Sequence, residues 1–571
     1  MTRKAITPCL AIVICAVAAA AQLPVIKITT GTPAPTSAQS NYNVSSCANS
    51  KPAASNFVAP VQNYTALREF TITGAGDPSM NVTINSTSAD SNSIRIRGNS
   101  TSFMVPANND AAKSYRLKFN SRRSLFGMKE SKSWALLANF YDPTQMLSVI
   151  GFELGKRMEL ENTLPYEFVK VNYNGKDIGV YVLTPQISGT GRESNSGVYL
   201  DAEYGGWLAE FTHWGPGDAE DCKRFFLAPQ LSGSGSGSYR YVLNTKIRTP
   251  ELDELPLKNG QPDLSAFDYV KEDVKAFVDK LNDRGFPNNG YRDMIDVKGW
   301  AVYTLINLFM DNRDWNTAGD QGGLGSNFFY KVNSSGKIKA GPLWDLDLSA
   351  GSPGVMGGSF FSSSSLTRNL KPSHAFYQRL WSDSSGFLPC YVEAWNANKS
   401  MIKAMGESGG FIDQLMEKIA PSVNGNYAMR ESSSGGGFGA SGTTYTEDSY
   451  RTFVGRMKSW WNTRYTNFDN AVKDIKVTGT CPSDEPPPPA SAASRAKSTG
   501  AARVSAVKNG VSLNVADRAV VKVYGLDGKE LRRAGFEKGN HTLRFGDMPR
   551  GMYIVRVSMG ENVTALKVPV R

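Results

Sequence analysis

The chain has 571 residues, with 63 Lys and Arg against 52 Asp and Glu, a formal charge of +11 and an isoelectric point near 9.1. That length exceeds one small domain and can bury a sizeable core, so more than one folded unit is expected. The basic residues are scattered among acids without a basic block or an RNA-binding signature, which argues against nucleic acid and for a cationic surface suited to phosphate-bearing ligands or acidic polymers.

Met1-Thr2-Arg3-Lys4 followed by the apolar, small-residue run Ala5 to Ala21 reads as a secretory signal peptide over residues 1–21. No other segment approaches spanning length, so the expectation is a secreted protein, or one attached to the cell surface or outer membrane by other means. Cys9 and Cys15 lie in the leader, while Cys47, Cys222, Cys390 and Cys481 are too widely spaced for zinc. An even number in an exported chain predicts two disulfides, with the pairing left open. His213, His374 and His541 sit in no metal-binding spacing, so acid–base chemistry falls to carboxylates.

Val25 to Thr30 reads as a first strand, and 31–55, rich in Thr, Pro, Ser and Asn, as loop. From Phe70 to Phe119 the pattern alternates. Ile94 and Ile96 share one face and Arg95 and Arg97 the other; likewise Tyr115, Leu117 and Phe119 point inward while Arg116 and Lys118 point outward. Two basic outer faces side by side either line a phosphate site or are simply solvated. Asp142-Pro143-Thr144 introduces a helix over Gln145 to Met158, and Asn174-Gly175 turns a hairpin between Tyr166–Tyr173 and Lys176–Leu183. Gly205 to Phe211 is a further strand, and Leu231 to Ser238 a Gly/Ser loop. Ser265 is read as the cap of a helix with Val270, Val274, Phe277, Val278 and Leu281 inward, and Asp296 starts a longer apolar helix ending near Asp311.

A hairpin of Asn327–Tyr330 with Lys337–Leu343, turning at Ser334-Ser335-Gly336, leads into Gly341-Pro342-Leu343-Trp344-Asp345-Leu346-Asp347. Strand alternation would put Asp345 and Asp347 on one face and Trp344, Leu346 and Leu348 on the other. Paired hard oxygens suit a divalent cation such as Mg²⁺, which takes further ligands from waters and substrate phosphates. The polar turn after Leu305–Met310 offers a third carboxylate. Ser349 to Ser365 reads as a flexible region, and the remainder to Ile475 as helices broken by Gly-rich 432–442. Trp460 and Trp461 are either a sugar-stacking platform or, since adjacent helical positions face apart, at least in part core. Pro-rich 481–503 reads as a stiff linker, and 504–571, with short alternating strands, as a small β-sandwich.

Taken in order, Arg97-Gly98-Asn99-Ser100-Thr101, Lys113 to Phe119, Ser133-Trp134-Ala135-Leu136-Leu137-Ala138-Asn139, Val171 to Gly175 through Gly179-Val180-Tyr181, and Gly341 to Asp347 resemble the spore coat protein H (CotH) kinase family. The resemblance covers nearly all of 23–480 and implies an α+β, atypical protein-kinase-like two-lobed domain, here bounded at 22–480. It implies ATP-dependent phosphoryl transfer to protein Ser/Thr hydroxyls, or to the protein itself, with Mg²⁺ or Mn²⁺. By the same resemblance Asp314 matches the catalytic aspartate, Asp345 the principal metal ligand with Asp347 beside it, and Asn327 an asparagine that assists the metal. Arg97, Arg116 and Lys118 are the expected triphosphate contacts, with Lys118 the analogue of a kinase strand lysine. An ordinary Asp is a poor base, so Asp314 would act more by positioning than by proton abstraction.

The chain departs from the family pattern at Ser102, Leu147 and Pro185, the last standing where a glutamate usually follows the hairpin, and 317–325 reads as an insertion. Phe545-Gly546-Asp547-Met548-Pro549-Arg550-Gly551-Met552-Tyr553-Ile554-Val555-Arg556-Val557 resembles the C-terminal sorting domains of type IX secretion cargo, which implies secretion machinery as a partner. Two other readings compete: a catalytically inactive kinase-like surface protein for adhesion or polysaccharide contact, and a glycosidase using two acids. Acids two residues apart on one strand sit too close for the latter.

Overall fold

The computed structural model describes residues 22–30, 64–85, 92–98, 109–187, 189–191, 198–200, 205–212, 224–227, 243–250, 255, 257–258, 261–315, 324–353, 358–431, 442–482, 503–507, 510–515, 518–525, 530–545, 548–549, 551–559 and 562–570. The leader, Cys47, Cys222, the departure at Ser102, the Gly/Ser loop at 231–238, most of the insertion and most of the Pro-rich linker lie outside them. The chain divides into two compact units, 1–484 and 485–571.

The first unit is a mixed α+β body with a barrel-like core. Eight strands, β1 (Val25–Thr30), β2 (Thr65–Thr73), β3 (Val82–Asn85), β4 (Ser93–Arg97), β5 (Ser114–Arg123), β6 (Ser131–Leu137), β7 (Glu167–Tyr173) and β8 (Lys176–Pro185), run in the order β1-β7-β8-β6-β5-β4-β2-β3. Because β1 also pairs with β2, the sheet closes on itself, and only β3 extends from the ring. Closure removes the exposed edges that an open sheet would present. Alternation decides what fills the ring: Ile26, Ile28, Phe70, Ile72, Ile94, Ile96, Tyr115, Leu117, Trp134, Leu136, Val169, Val171 and Leu183 form one apolar cluster. Their neighbours Ala135, Leu137, Phe168, Val180 and Val182 face the other way, into the larger core shared with the helices. Asn174 and Gly175, both at positive φ (49° and 83°), make the two-residue turn between β7 and β8 that their sequence predicts.

Helix α1 (Leu147–Arg157) packs on this outer face. A second, five-stranded antiparallel sheet follows, built from β9 (Trp207–Phe211), β10 (Arg224–Leu227), β11 (Leu243–Thr249), β12 (Asn327–Lys331) and β13 (Ile338–Ala340) in the order β10-β11-β9-β12-β13. The longer helices are α2 (Asp268–Asn282), α3 (Val297–Phe309), α4 (Ala375–Trp381), α5 (Phe387–Gly406), α6 (Phe411–Ile419) and α7 (Glu447–Lys473). Helix α3 is buried around nearly its whole circumference and starts where Asp296 caps the N–H of Gly299. Cys390 on α5 is bonded to Cys481, tying the chain beyond α7 back to the helical layer.

Several expectations are corrected. Asp263, not Ser265, is the cap, and it opens a short 3₁₀ turn over Leu264–Phe267 ahead of α2. Trp460 and Trp461 are both buried, so neither forms a platform; their indole N–H groups donate to Ser365 Oγ and to the Ile402 carbonyl. The described part of 349–365 is packed rather than loose, with Phe360 and Ser365 buried and a 3₁₀ turn at Ser363–Leu366. Residues Tyr427–Met429 and Gly442–Thr444 pair as a small hairpin within the region read as helical.

In the second unit, strands Arg503–Val507, Gly510–Val515 and Gly539–Arg544 form one antiparallel sheet, and Glu530–Phe536, Ala519–Tyr524, Gly551–Met559 and Asn562–Val570 another. Residues of both, among them Val511, Leu513, Val521, Val523, Val555 and Val557, share one apolar cluster.

Candidate functional site

Three chain segments converge at the end of α3, and backbone hydrogen bonds stitch them together. Ala350 N–H donates to Met310 O (2.6 Å), Arg313 N–H to Leu348 O (3.3 Å) and Gly325 N–H to Asp314 O (2.8 Å). The turn carrying Asp314, the start of β12 and the stretch after β13 are thereby held as one unit.

The stretch that bears the aspartates is not a strand. Pairing in β13 ends at Ala340, and Asp345 takes a left-handed conformation (φ 59°), so the expected alternation is broken at that residue. Asp311 (φ 52°), Ser326 (φ 53°) and Ala350 (φ 48°) do the same around it. Such non-glycine backbones cost roughly 1–3 kcal/mol each and persist where the surrounding packing over-determines them. Gly151 and Gly155, one turn apart on α1, supply that packing. A Cβ at Gly151 would run into Leu346 Cδ1, and one at Gly155 would lie 3.0 Å from Leu343 Cδ1. The two glycines form a shallow groove into which the leucines flanking Trp344-Asp345 settle. The sequence signal was present, as a glycine pair at i and i+4 on a helix, but nothing local said what would occupy it.

Asp345 and Asp347 interact with each other and with Asp314. Lost hydration is the first cause that raises the Asp345 carboxyl above its usual range, and Asp314 adds to it; the Ser326 hydroxyl (Oγ to Oδ2, 2.9 Å) and Arg97 pull it down. Asp345 is still exposed to solvent, so its dehydration is partial and the rise correspondingly smaller than full burial would give. Asp347 is driven well above the normal range, first by burial and then by Asp345, Asp314 and Asp142.

Asp142 was not singled out as a site residue. Fully buried, it accepts from Thr144 N and Oγ1 (2.7 and 2.6 Å) and from the N–H of Leu147 at the start of α1 (2.7 Å). Burial nevertheless lifts its carboxyl to about 6. Asp311, which the sequence also placed near the pair, is taken up elsewhere: it forms a two-pronged ion pair with Arg368 (3.1 and 2.5 Å) and accepts from Asn369 Nδ2 (2.9 Å).

The barrel contributes cations. Arg97 at the end of β4 lies over the Trp344 ring (4.9 Å) and is attracted by Asp345. Burial lowers its guanidinium to about 10, which leaves it charged at neutral pH. Arg95, Arg116 and Arg248 repel it, so the four guanidiniums belong to one electrostatic neighbourhood. Arg95 and Arg116 face each other across the β4–β5 pair, and Arg116 Nη2 donates to Ser133 Oγ (3.3 Å). Lys118 is on the same face but exposed, flanked across the sheet by Ser93 and Ser133; the structure shows no link from it to the carboxylates. Asn327 is buried with its amide engaged: Tyr377 Oη donates to its Oδ1 (2.7 Å), and its Nδ2 donates to Gly325 O (2.7 Å). The oxygen that sequence reasoning assigned to a metal is thus shared with a tyrosine hydroxyl.

Among the described residues no group of three His, Cys, Asp or Glu side chains is gathered closely enough to hold a metal ion unaided. Two neighbouring carboxylates, both held above the usual range by burial and by Asp314 and the second also by the first, still suit a hard divalent cation, because Mg²⁺ keeps waters and borrows phosphate oxygens. The donor set therefore fits a cation held jointly by protein and substrate.

A search of the curated proteins found no match. A protein-family model described as CotH kinase protein matches residues 94–468, which span β4 with Arg97, all three aspartates and most of α7. That match covers more than half of the sequence: the chain belongs to the CotH kinase protein family.

Proposed function

We propose that the protein is an exported phosphotransferase that moves the γ-phosphoryl group of ATP to Ser or Thr hydroxyls of a protein substrate, or to its own, with Mg²⁺ or Mn²⁺. The observation that carries this reading is the mutual interaction of Asp314, Asp345 and Asp347 beside the Arg97 guanidinium. Phosphoryl transfer asks little covalent chemistry of the protein and depends on positioning and charge neutralisation. Asp345 and Asp347 would hold the cation, with Asn327 at most a lesser ligand through its remaining lone pair; when bound, the cation neutralises the triphosphate charge. Arg97 and Arg116 contact phosphate oxygens, and Lys118 does so only if its exposed side chain folds back over the β4–β5 face. Asp314 accepts a hydrogen bond from the substrate hydroxyl and aims its oxygen at the γ-phosphorus. The proposal includes a two-lobed arrangement, with the barrel as one lobe, a C-terminal β-sandwich that serves as a type IX sorting domain, and a location outside the cell or on its surface.

Pro185, the last residue of β8 and paired with Trp134, supports a second reading in which the fold is kept without chemistry, for adhesion or polysaccharide contact. Its position cannot supply the carboxylate that would anchor a phosphate-binding cation. Among the described residues the exposed large apolar side chains are Tyr64, Leu257, Tyr269, Val477 and Leu531, which are single residues rather than a stacking surface.

The two readings separate on one assay. Purified protein incubated with Mg²⁺ or Mn²⁺ and γ-labelled ATP should incorporate label into itself or an added protein, and Asp345→Asn should abolish this. Equal incorporation by parent and variant rejects the enzyme. Binding to polysaccharide without any nucleotide-induced thermal shift favours the second reading.

A further inference from the structure

Arg464, two-thirds of the way along α7, is completely buried and donates to six main-chain carbonyls. Two belong to the last turn of α3: Leu308 O (2.6 Å to Nη2) and Phe309 O (3.2 Å to Nε). The other four belong to the segment 365–369, with Arg368 O the nearest (2.6 Å to Nη1). The last carbonyls of a helix have no partner within it, and a planar fork of five N–H donors is suited to collecting several at once.

The same segment returns to the turn after α3 through its side chains. Arg368 and Asn369 both bond the Asp311 carboxylate, which is itself fully buried and attracted by Arg464. A closed circuit results, running from the end of α3 through Arg464 to 365–369 and back to Asp311. Three residues further on is Asp314. On either side of Asp311, Met310 O and Arg313 N–H hold Ala350 and Leu348, which follow Asp347.

We infer that Arg464 is a positioning residue for Asp314: by clamping the end of α3 to segment 365–369 it sets the Asp311–Asp314 turn in register with Asp345 and Asp347. This rests on the phosphotransferase reading for its catalytic consequence, though not for its structural one. A charge alone would not suffice, because lysine keeps the charge but has three donors and no fork.

The test compares full-length parent, Arg464→Lys, Asp314→Asn and the double variant in ATP-dependent label transfer, with hydrogen exchange of peptides covering 308–315 measured in parallel. For Arg464→Lys we expect kcat to fall about ten- to a hundredfold, as for a misplacement near 1 Å, while KM for ATP stays within about twofold. In the Asp314→Asn background the lysine should cause no further loss, and exchange over 308–315 should rise while that of β5 does not. Multiplicative losses in the double variant, or unchanged exchange, overturn the inference. If the parent transfers no phosphate, the phosphotransferase reading fails separately and the exchange measurement alone decides whether Arg464 holds the turn. Should Arg464→Lys not fold, Arg368→Gln breaks the circuit at its partly exposed side; the same kcat-only loss is expected, and an unchanged kcat overturns the proposal.

Discussion

The barrel and the carboxylate site obey opposite rules. Along β5, every second side chain enters the ring and the alternate ones leave it, so Tyr115, Leu117 and Phe119 are buried while Lys118 and Asn120 are not. Along 341–350 no period holds: Asp345 turns left-handed, Leu343, Trp344 and Leu346 are all buried, and the acids emerge where neighbouring segments leave room. A closed ring of strands tolerates no freedom in direction, whereas a site that gathers like charges must be forced into place by contacts from elsewhere. Stability resides in the regular region, and the proposed chemistry falls in the irregular one, which borrows its shape from α1, α3 and α7.

That contrast can be broken most decisively by paired substitutions. Asp345→Asn keeps a residue tolerant of positive φ and removes one of the repelling charges, so label transfer should drop by about a thousandfold or more while the melting temperature holds or rises. Trp134→Ala should do the reverse, costing about 3–5 kcal/mol by denaturant titration while the surviving folded fraction keeps its specific activity. If both variants lose stability and activity together, the division of labour is wrong.

A smaller effect tests how the irregular stretch is held. Gly151→Ala should displace Leu346 and cost about 1–3 kcal/mol, with a loss of transfer activity out of proportion to the stability change. Gly175→Ala, at a hairpin tip with open space around it, should pay only for its positive φ, and leave transfer unchanged.

The smallest expected effect concerns pH. Asp142 has its carboxyl raised by burial to about 6 from an ordinary 3.8, so the folded state binds its proton more tightly than the unfolded chain does. The associated stability is fully present below about pH 4 and is lost as pH rises through about 6, about 3 kcal/mol at most. Asp142→Asn, which can still cap α1, should flatten the stability profile over that interval. An unchanged slope between pH 4 and 6 would remove Asp142 from the charge cluster around Asp347.

Much of the regular region was legible because its cause is local. The β4 and β5 patterns, the Asn174-Gly175 turn and the apolar face of α2 follow from side-chain period and turn chemistry, and the structure shows each. Closure of the sheet was not legible, since the β1–β2 pairing that completes the ring depends on how the strands twist together. The tryptophan pair shows the same limit: two adjacent positions on α7 both find cover because helices and loops pack around that part of the helix from several sides.

At the candidate site, residue types and chain order were readable, and Asp314, Asp345 and Asp347 do interact. Their sequence also carried Arg97, which reaches Trp344 and Asp345 from the barrel. What tertiary structure alone decided is which acid joins the pair. Asp311 and Asp314 are three residues apart on one turn, yet Arg368 neutralises the first and leaves the second beside the pair. Asp142, Gly151, Arg248 and Arg464 joined the account only through folding, because electrostatic and packing partners are set by distance in space, and distance along the chain does not report it.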